Sequence, residues 1–220
     1  MELDEKTGAK RAEECAAPAM PHTASVETPP GALPCRCAWV NLKNPLYVQY
    51  HDAEWGVPQH DDRALFELLI LEGFQAGLSW ECVLNKRAHF RAVYDGFDVE
   101  KVSRYGEEKI AALLSDAGII RNRRKVLASI ANANIFREIQ AEYGSFDAYI
   151  WHFTGGKTIE ECYTVRTTSP LSDEISNDLK KRGMGCVGST VIYSYLQAIG
   201  ILNAHGPECD RCPRKQDTAL

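Results

Sequence analysis

The sequence predicts an all-α domain, and three observations lead to that class. Nearly every stretch of regular hydrophobic spacing repeats at three to four residues, as the buried face of a helix does. Several of these stretches begin at Asp or Ser residues, which commonly cap helix N-termini. Only residues 164–168 alternate as a strand would. No segment of the chain repeats.

The predicted helices follow one another along the chain. Asp61 or Asp62 can cap the first, which runs to Glu72, and Ser79 begins a second that continues through Phe90. Short helices are expected at 98–105 and 107–115, a longer one at 124–143, and an aromatic one from Ser145 to Trp151. Ser172 caps the next, which ends at Gly183. The last begins at 188–190, and its apolar stripe is Val191, Tyr195, Ala198 and Leu202.

The chain of 220 residues divides into three parts. Residues 1–34 are rich in Ala, Pro, Thr and Glu and lack hydrophobic periodicity, which predicts a disordered leader. Residues 35–212 form one domain, and 213–220 a flexible tail. No apolar run approaches the roughly 18 residues of a membrane span, and the acidic leader is neither a secretion nor a mitochondrial signal. We therefore expect a soluble, intracellular monomer, cytoplasmic or nuclear. The net charge of −5 is due in large part to the leader.

Glu72 stands out because it shares the apolar stripe of its own helix. Leu65, Leu68, Leu69 and Glu72 lie at positions i, i+3, i+4 and i+7. A carboxylate is almost never fully buried without compensation. Glu72 is therefore either partnered in the core, capping backbone N–H groups, or kept unpartnered for a ligand.

An aromatic cluster precedes that helix and continues after it. Tyr47 and Tyr50 are three residues apart, so a helical turn places both rings on one face. Such clusters are usually core. Beside a carboxylate, however, they form a slot that can stack a planar, positively charged heterocycle and hydrogen-bond its edge. The members of the predicted slot are Glu72, Tyr47, Tyr50, Trp55 and Trp80.

Cysteines and histidines concentrate at the two ends of the domain, which indicates a metal site. Zinc prefers four Cys or His ligands at tetrahedral corners, and two from each end would join the termini of the domain. The preferred set is Cys37, His51, His205 and Cys209, and a rival set is Cys35, Cys37, Cys209 and Cys212. Unliganded thiols and surface histidines are the third possibility. Because four protein ligands leave no open position, the zinc would be structural.

A basic segment follows a predicted Gly turn between two helices. Four of the five residues 121–125 are cationic, and backbone N–H groups at a helix N-terminus bind phosphate. The predicted DNA-backbone contacts are Gly118, Arg121, Arg123, Arg124 and Lys125. A second basic point, residues 180–182, ends a helix, where cations are also favoured by the helix dipole alone.

Five separated blocks together resemble 3-methyladenine DNA glycosylase I, a family of the helix-hairpin-helix superfamily of DNA glycosylases. They occur in the family's order from Cys37 to about Cys209. The blocks are CAWV at 37–40, YHDxEWGVP at 50–58, LEGFQAGLSW at 71–80, DAGIIR at 116–121 and HxxxC at 205–209. The chain departs from the family where Met184 and Cys186 replace the usual aromatics. It also has an extra leader, a longer loop at 41–44 and an additional Cys212.

The resemblance implies a helix-hairpin-helix fold, a structural zinc on the preferred ligand set and a role for each pocket residue. Glu72 would contact the amino edge of the extruded base, Tyr50 would hydrogen-bond to it, and Trp80 would stack on it. Tyr47 would be a further pocket aromatic. Leu78, after Gly77, would be the wedge that fills the gap in the duplex.

The expected activity is hydrolysis of the N-glycosidic bond of 3-methyladenine in double-stranded, alkylated DNA, as in base excision repair. No lysine occupies an obvious Schiff-base position, so a monofunctional enzyme without strand cleavage is predicted. Two other functions are open. The protein could be a non-catalytic zinc-containing sensor of alkylated DNA, or an adaptor whose leader recruits a partner.

Overall fold

The computed structural model describes residues 34–161 and 166–212. The predicted tail at 213–220 and all but the last residue of the predicted leader at 1–34 lie outside this part of the chain. The α-helices are α1 (Pro45–Ala53), α2 (Asp62–Gln75), α3 (Trp80–Leu84), α4 (Arg87–Val93), α5 (Val99–Val102), α6 (Glu107–Ser115), α7 (Arg123–Tyr143), α8 (Phe146–His152), α9 (Pro170–Lys181) and α10 (Ser189–Ala198), and a short 3-10 helix spans Asp95–Phe97. Two short strands, β1 (Ile159–Glu160) and β2 (Leu202–Asn203), pair in parallel.

The domain is mostly helical, as predicted, although the pair of short strands departs from an all-α class, and most of the other differences concern where helices begin and end. The helix predicted from Ser79 through Phe90 is two helices, because Lys86 N–H bonds back to the carbonyl of Val83 and tightens the turn between them. The predicted cap Ser172 is wrong. Ser169 is the N-cap, and Ser172, the third residue of the helix that begins with Pro170, returns the bond and completes a capping box.

The last helix is shorter than predicted. It ends at Ala198, Leu202 belongs to β2, and the buried side chains of α10 include Ile192 and Leu196 rather than Val191. The predicted strand at 164–168 lies largely outside the described residues. Within those residues, no helix is both long and apolar enough to cross a membrane.

Helix α2 is the centre of the domain. Every residue from Leu65 to Phe74 is buried, and α2 packs against α3, α7, α8 and α10. The helix is therefore surrounded on all sides, whereas its leucine spacing predicted a single buried stripe. This position puts Glu72, in its last two turns, inside the protein.

The two ends of the described domain meet. Asp210 N–H donates to the carbonyl of Cys35, and Cys35 N–H donates to Asp210 Oδ2 at 2.8 Å. Near this junction, Gly56 N–H bonds to the carbonyl of Gln197, and Gln59 N–H to that of Ile199. The segment after α1 is thereby fastened to the end of α10.

Gly200 is required at the end of α10, and replacing it with alanine should destabilise the domain strongly. Its φ is +75°, and an added Cβ would lie 2.3 Å from the carbonyl carbon of Val57, a backbone atom. We expect a loss of about 2–4 kcal/mol in the free energy of unfolding, measured by denaturant titration. Gly144→Ala is the matched control.

Gly144 also has a positive φ, of +87°, but a Cβ there would have no neighbour within 4 Å. Its replacement should therefore cost only the left-handed strain, about 1 kcal/mol. Equal losses in the two variants would show that crowding against Val57 contributes nothing.

Candidate functional site

Glu72 is buried without a partner for one of its oxygens. The residue is 3% exposed, and Oε2 has no hydrogen bond. Burial raises the pKa of this carboxyl to about 8. Among the described residues, the other buried side-chain atom lacking a hydrogen bond is Nε1 of Trp80, a donor. Buried polar atoms are nearly always satisfied, so an unused acceptor and an unused donor mark a place for a ligand.

Tyr50 and Trp80 form an aromatic pair at this place. Their ring centroids are 5.1 Å apart, at an angle of 46°. Burial, followed by the nearby Glu72 carboxyl, raises the pKa of Tyr50 well above its ordinary value. Burial, Glu81 and Glu72 raise the pKa of the half-buried Tyr47. The structure thus brings together four of the five residues of the predicted slot.

Local sequence explains how these side chains are held. Asn44 caps α1 and Pro45 is its first residue, so Tyr47 and Tyr50 fall on one helical face. Ser79 accepts a hydrogen bond from Cys82 N–H and caps α3, which makes Trp80 the first residue of that helix. The slot is built from α1, the end of α2 and the start of α3.

Trp55 does not belong with the slot, and its predicted substrate-binding role is not supported by its contacts. Its ring lies 4.6 Å from the ring of His205 and 4.8 Å from that of Trp39. Its carbonyl oxygen lies 3.1 Å from His205 Nε2. Trp55 therefore lines the Cys/His cluster. It follows α1 in sequence, but the chain turns at Gly56, where φ is +76°.

Leu78 is held at the surface beside the slot. Gly77 has a φ of +83°, and Leu78 N–H donates to the carbonyl of Gln75 at 2.6 Å, which closes a tight turn after α2. The Leu78 side chain is 44% exposed. An apolar side chain presented by a closed turn fits the predicted wedge.

The preferred metal set assembles as predicted. Ligand atoms of Cys37, His51, His205 and Cys209 all lie within 4.8 Å of one another, and all four residues are buried. Three sulfur–nitrogen separations are 3.4, 3.5 and 3.6 Å. Hydrogen bonding to Cys209 and burial raise the pKa of the Cys37 thiol. The cluster is suited to hold one metal ion, and it joins both ends of the domain.

In both histidines the ring nitrogen that points away from the cluster has a hydrogen-bond partner, so the other ring nitrogen is available to a metal ion. His51 Nδ1 lies 2.8 Å from Asp52 Oδ1, and His205 Nε2 faces the carbonyl of Trp55. Arg36 in turn hydrogen-bonds Asp52 and lowers the pKa of that carboxyl to about 2. Metal-bound histidines typically have such partners, which fix their orientation. Sequence reasoning missed Arg36 and Asp52.

The predicted hairpin is the segment 116–122, which connects α6 to α7. Within it, Gly118 packs closely against the side chain of His89. Asp116 Oδ1 accepts the Gly118 N–H at 2.7 Å, and Asp116 also bonds His89 Nε2. A Cβ on Gly118 would fall 2.1 Å from the His89 ring. Lys86 Nζ donates to the carbonyls of Ala117 and Gly118. Side chains from the α3–α4 region thus shape the hairpin, and the Gly118 N–H is already used.

The basic residues after the hairpin fall into two groups. Arg121, Arg123 and Arg124 are exposed, and α7 begins at Arg123 with Asn122 as its cap. Lys125 is half-buried, and its Nζ donates to the carbonyls of Phe74 and Ala76, each at 2.7 Å. Two donors of Lys125 are therefore already used by backbone carbonyls of the protein.

The two departures in the 183–188 segment are accommodated in different ways. Met184 is buried in the core, and Cys186 adopts a φ of +57° against Gly73 of α2. Asn132 of α7 holds this segment by bonding both the N–H and the carbonyl of Gly185.

At the second basic point, residues 180–182, Arg182 forms ion pairs with Asp178 and Glu142, as expected for a structural role.

The fold and these clusters agree with known proteins. Residues 39–212 match the sequence profile of a family described as methyladenine glycosylase. The DNA-3-methyladenine glycosylase 1 of Escherichia coli strain K12 is 44% identical over 181 residues, which cover 79% of this chain and 95% of that protein. The chain belongs to the methyladenine glycosylase family, as its sequence motifs predicted.

Solved structures narrow the similarity to the type I enzymes. A crystal structure of 3-methyladenine DNA glycosylase I has a TM-score of 0.78 and 42% identity, covering 81% of this chain and all of that one. A Staphylococcus aureus 3-methyladenine DNA glycosylase I, described in terms of 3-methyladenine recognition, has a TM-score of 0.75 at 34% identity. It covers 78% of this chain and 93% of that one.

Proposed function

We propose that the protein is a monofunctional DNA glycosylase that hydrolyses the N-glycosidic bond of 3-methyladenine in alkylated double-stranded DNA. The observation that carries the proposal is the unpartnered Oε2 of Glu72 within the slot formed with Tyr47, Tyr50 and Trp80. Family membership supports the same reaction.

Glu72 recognises the positive charge of the damaged base. Methylation at N3 gives adenine a positive charge, so the extruded base presents a cationic, amino-bearing edge. An isolated buried carboxyl with a pKa of about 8 is protonated in the free protein at neutral pH, and a cation beside it favours the ionised form. Tyr50 hydrogen-bonds the base and Trp80 stacks on it. A neutral adenine gains less from this site, which gives selectivity.

Bond cleavage then needs little help from an acid. The glycosidic electrons leave with the base, which departs neutral, and water adds to the sugar carbon and loses its proton to solvent. The developing positive charge on the sugar needs a negative group nearby. The α7 helix has no Asp or Glu before Glu138, and Asn132 is bound to Gly185. We assign that electrostatic role to Glu72 together with the DNA phosphates.

DNA is gripped by a helix-hairpin-helix formed by α6, the loop and α7. Arg121, Arg123 and Arg124 are the exposed cations at the start of α7, where the helix dipole also favours phosphate. The loop containing Gly118 approaches the backbone. Leu78, on its turn after Gly77, enters the duplex at the gap left by the extruded base.

The metal that we propose for the Cys/His cluster is structural zinc. Zinc–sulfur bonds of about 2.3 Å and zinc–nitrogen bonds of about 2.0–2.1 Å at tetrahedral angles require sulfur–nitrogen separations of about 3.6 Å. The measured separations of 3.4–3.6 Å fit this requirement. With four protein ligands the ion has no position for substrate, so it supplies stability.

Purified protein incubated with methylated duplex DNA should release 3-methyladenine and leave 7-methylguanine in place. The free bases are identified by chromatography, and intact strands on a denaturing gel report the absence of strand cleavage. Binding to the DNA without base release would instead identify a sensor of alkylated DNA. If the DNA strands are already cleaved after the reaction, without any further chemical treatment, the monofunctional assignment is contradicted.

A further inference from the structure

Lys125 satisfies the open end of helix α2. The last carbonyls of a helix lack partners within it, and a cation is favoured there by the helix dipole. Lys125 Nζ donates to the carbonyls of Phe74 and Ala76, while Leu78 N–H takes that of Gln75. The three consecutive carbonyls of residues 74–76, at the end of α2, thus all accept hydrogen bonds.

These carbonyls flank the elements that act on the base. Ala76 leads directly into the turn that presents Leu78, and Phe74 is two residues beyond Glu72 on the same helix. Lys125 itself is in the first turn of α7, where its backbone N–H donates to the Asn122 cap. One side chain therefore joins the start of the helix that follows the hairpin to the turn that carries the wedge.

A second connection runs the other way. Lys86, in the turn between α3 and α4, donates to the carbonyls of Ala117 and Gly118 in the hairpin. Lys86, which follows Leu78 in sequence, thus binds the hairpin. Lys125, which follows the hairpin, binds the end of α2, which precedes Leu78. The wedge and the phosphate-binding loop are fastened from both sides, over sequence separations of 49 and 32 residues.

We infer that Lys125 is a positioning residue, which sets the wedge turn and the end of α2 against the hairpin, rather than a ligand of DNA phosphate. The inference rests on the proposed function, because it assigns Lys125 a part in opening the duplex. Two of the three ammonium donors are used by carbonyls of the protein itself, whereas the side chains of Arg121, Arg123 and Arg124 are exposed.

Two measurements separate positioning from phosphate binding. The first is the salt dependence of binding to a duplex with an abasic-site analogue, since each phosphate contact contributes a slope of about 0.9. The second is the fluorescence of a 2-aminopurine beside that site, which rises when the neighbouring bases unstack. A third readout, base release under single-turnover conditions with excess enzyme, follows catalysis itself.

For Lys125→Met we expect an unchanged salt slope, a reduced 2-aminopurine signal and base release slowed by about 10- to 100-fold, as expected for a misplaced group. Lys125→Arg, which keeps the charge and at least two donors, should recover part of both losses. Arg124→Met should lower the slope by about 0.9. Lys157→Met, which removes an exposed lysine of the loop before β1, is the matched control. Thermal melting sets an assay temperature at which every variant is folded.

A slope reduced by about 0.9 in Lys125→Met, with the 2-aminopurine signal retained, would make Lys125 a phosphate ligand and overturn the inference. Unchanged values in all three assays would overturn it as well. If the wild-type protein opens the duplex but releases no base, the proposed function fails, and the fluorescence of Lys125→Met still decides the role of Lys125. A wild-type protein that leaves the duplex stacked would refute the inference about Lys125, and base release would still decide the proposed function.

Discussion

Glu72→Gln should lose most base release, by about 100-fold or more, and should at the same time be more stable than the wild-type protein. The amide keeps the shape of the carboxyl but cannot carry the negative charge that pairs with a cationic base. Charge-assisted hydrogen bonds are worth roughly 1.5–3 kcal/mol, and the developing charge on the sugar adds to the loss. The measurement is single-turnover release of 3-methyladenine.

The gain in stability follows from the raised pKa. Burial lifts the pKa of Glu72 from an ordinary 4.5 to about 8, so the folded protein holds a proton that the unfolded chain releases. This lowers stability increasingly as pH rises from about 4.5 to 8, by at most about 3 kcal/mol at pH 7. Glutamine does not titrate, so its stability does not fall over this pH range. The melting temperature of Glu72→Gln should therefore exceed that of the wild type at pH 7, and the two melting temperatures should become equal near pH 4.

The same titration predicts a pH profile for the wild type. The ionised form binds the cation, so kcat/KM should rise with pH and level off above about 8, whereas Glu72→Gln should be flat over this range. Glu67→Gln is the matched control, because Glu67 is equally buried but bonds Arg87 and Arg91. Its replacement should destabilise the protein by leaving Arg87 short of a partner. Undiminished release by Glu72→Gln would remove Glu72 from the mechanism.

The features that were predictable from sequence are those set by local spacing or by strong chemical preference. The burial of Glu72 followed from its helical register, and the Cys/His set followed from ligand types at the two ends of the domain. Ser145 is the N-cap of α8, as predicted, and α7 begins at Arg123, one residue before its predicted start, with Asn122 as its cap. In each case a short segment contains the physical cause.

Long-range contacts decided the rest. Trp55 shares a short aromatic stretch with Tyr50, but the turn at Gly56 and the arrival of His205 from the other end of the domain place it beside the Cys/His cluster. Lys125 is one of four cations in sequence, yet only it reaches carbonyls 49 and 51 residues away. Neither outcome has a local signal, because the partner of Trp55 comes from the C-terminal end of the domain and the partners of Lys125 are set by how α2 and α7 pack.

Removing the metal should lower the melting temperature by at least about 10 °C. The free energy of binding at a structural zinc site is free energy of folding, and this cluster joins residues 37–51 to residues 205–209. The experiment is metal analysis of the purified protein, followed by melting curves before and after chelation. We expect one zinc per chain and recovery of the melting temperature when zinc is returned. A chelated protein with its full melting temperature would refute a structural metal.

Single substitutions then separate the two ligand sets that the sequence left open. The set of two cysteines and two histidines predicts that His51→Gln loses zinc while Cys35→Ser keeps it, and the all-cysteine set predicts the reverse. Cys212→Ser is a further control, because Cys212 is buried but lies outside the four residues whose ligand atoms converge. At temperatures where it remains folded, the metal-depleted protein should still release base. Glu72 and Trp80 lie on α2 and α3, outside the segments that the metal fastens, so both should keep their positions in the folded protein. Tyr50 precedes His51 of the cluster on α1, so zinc loss should affect base release through the position of Tyr50 and through unfolding.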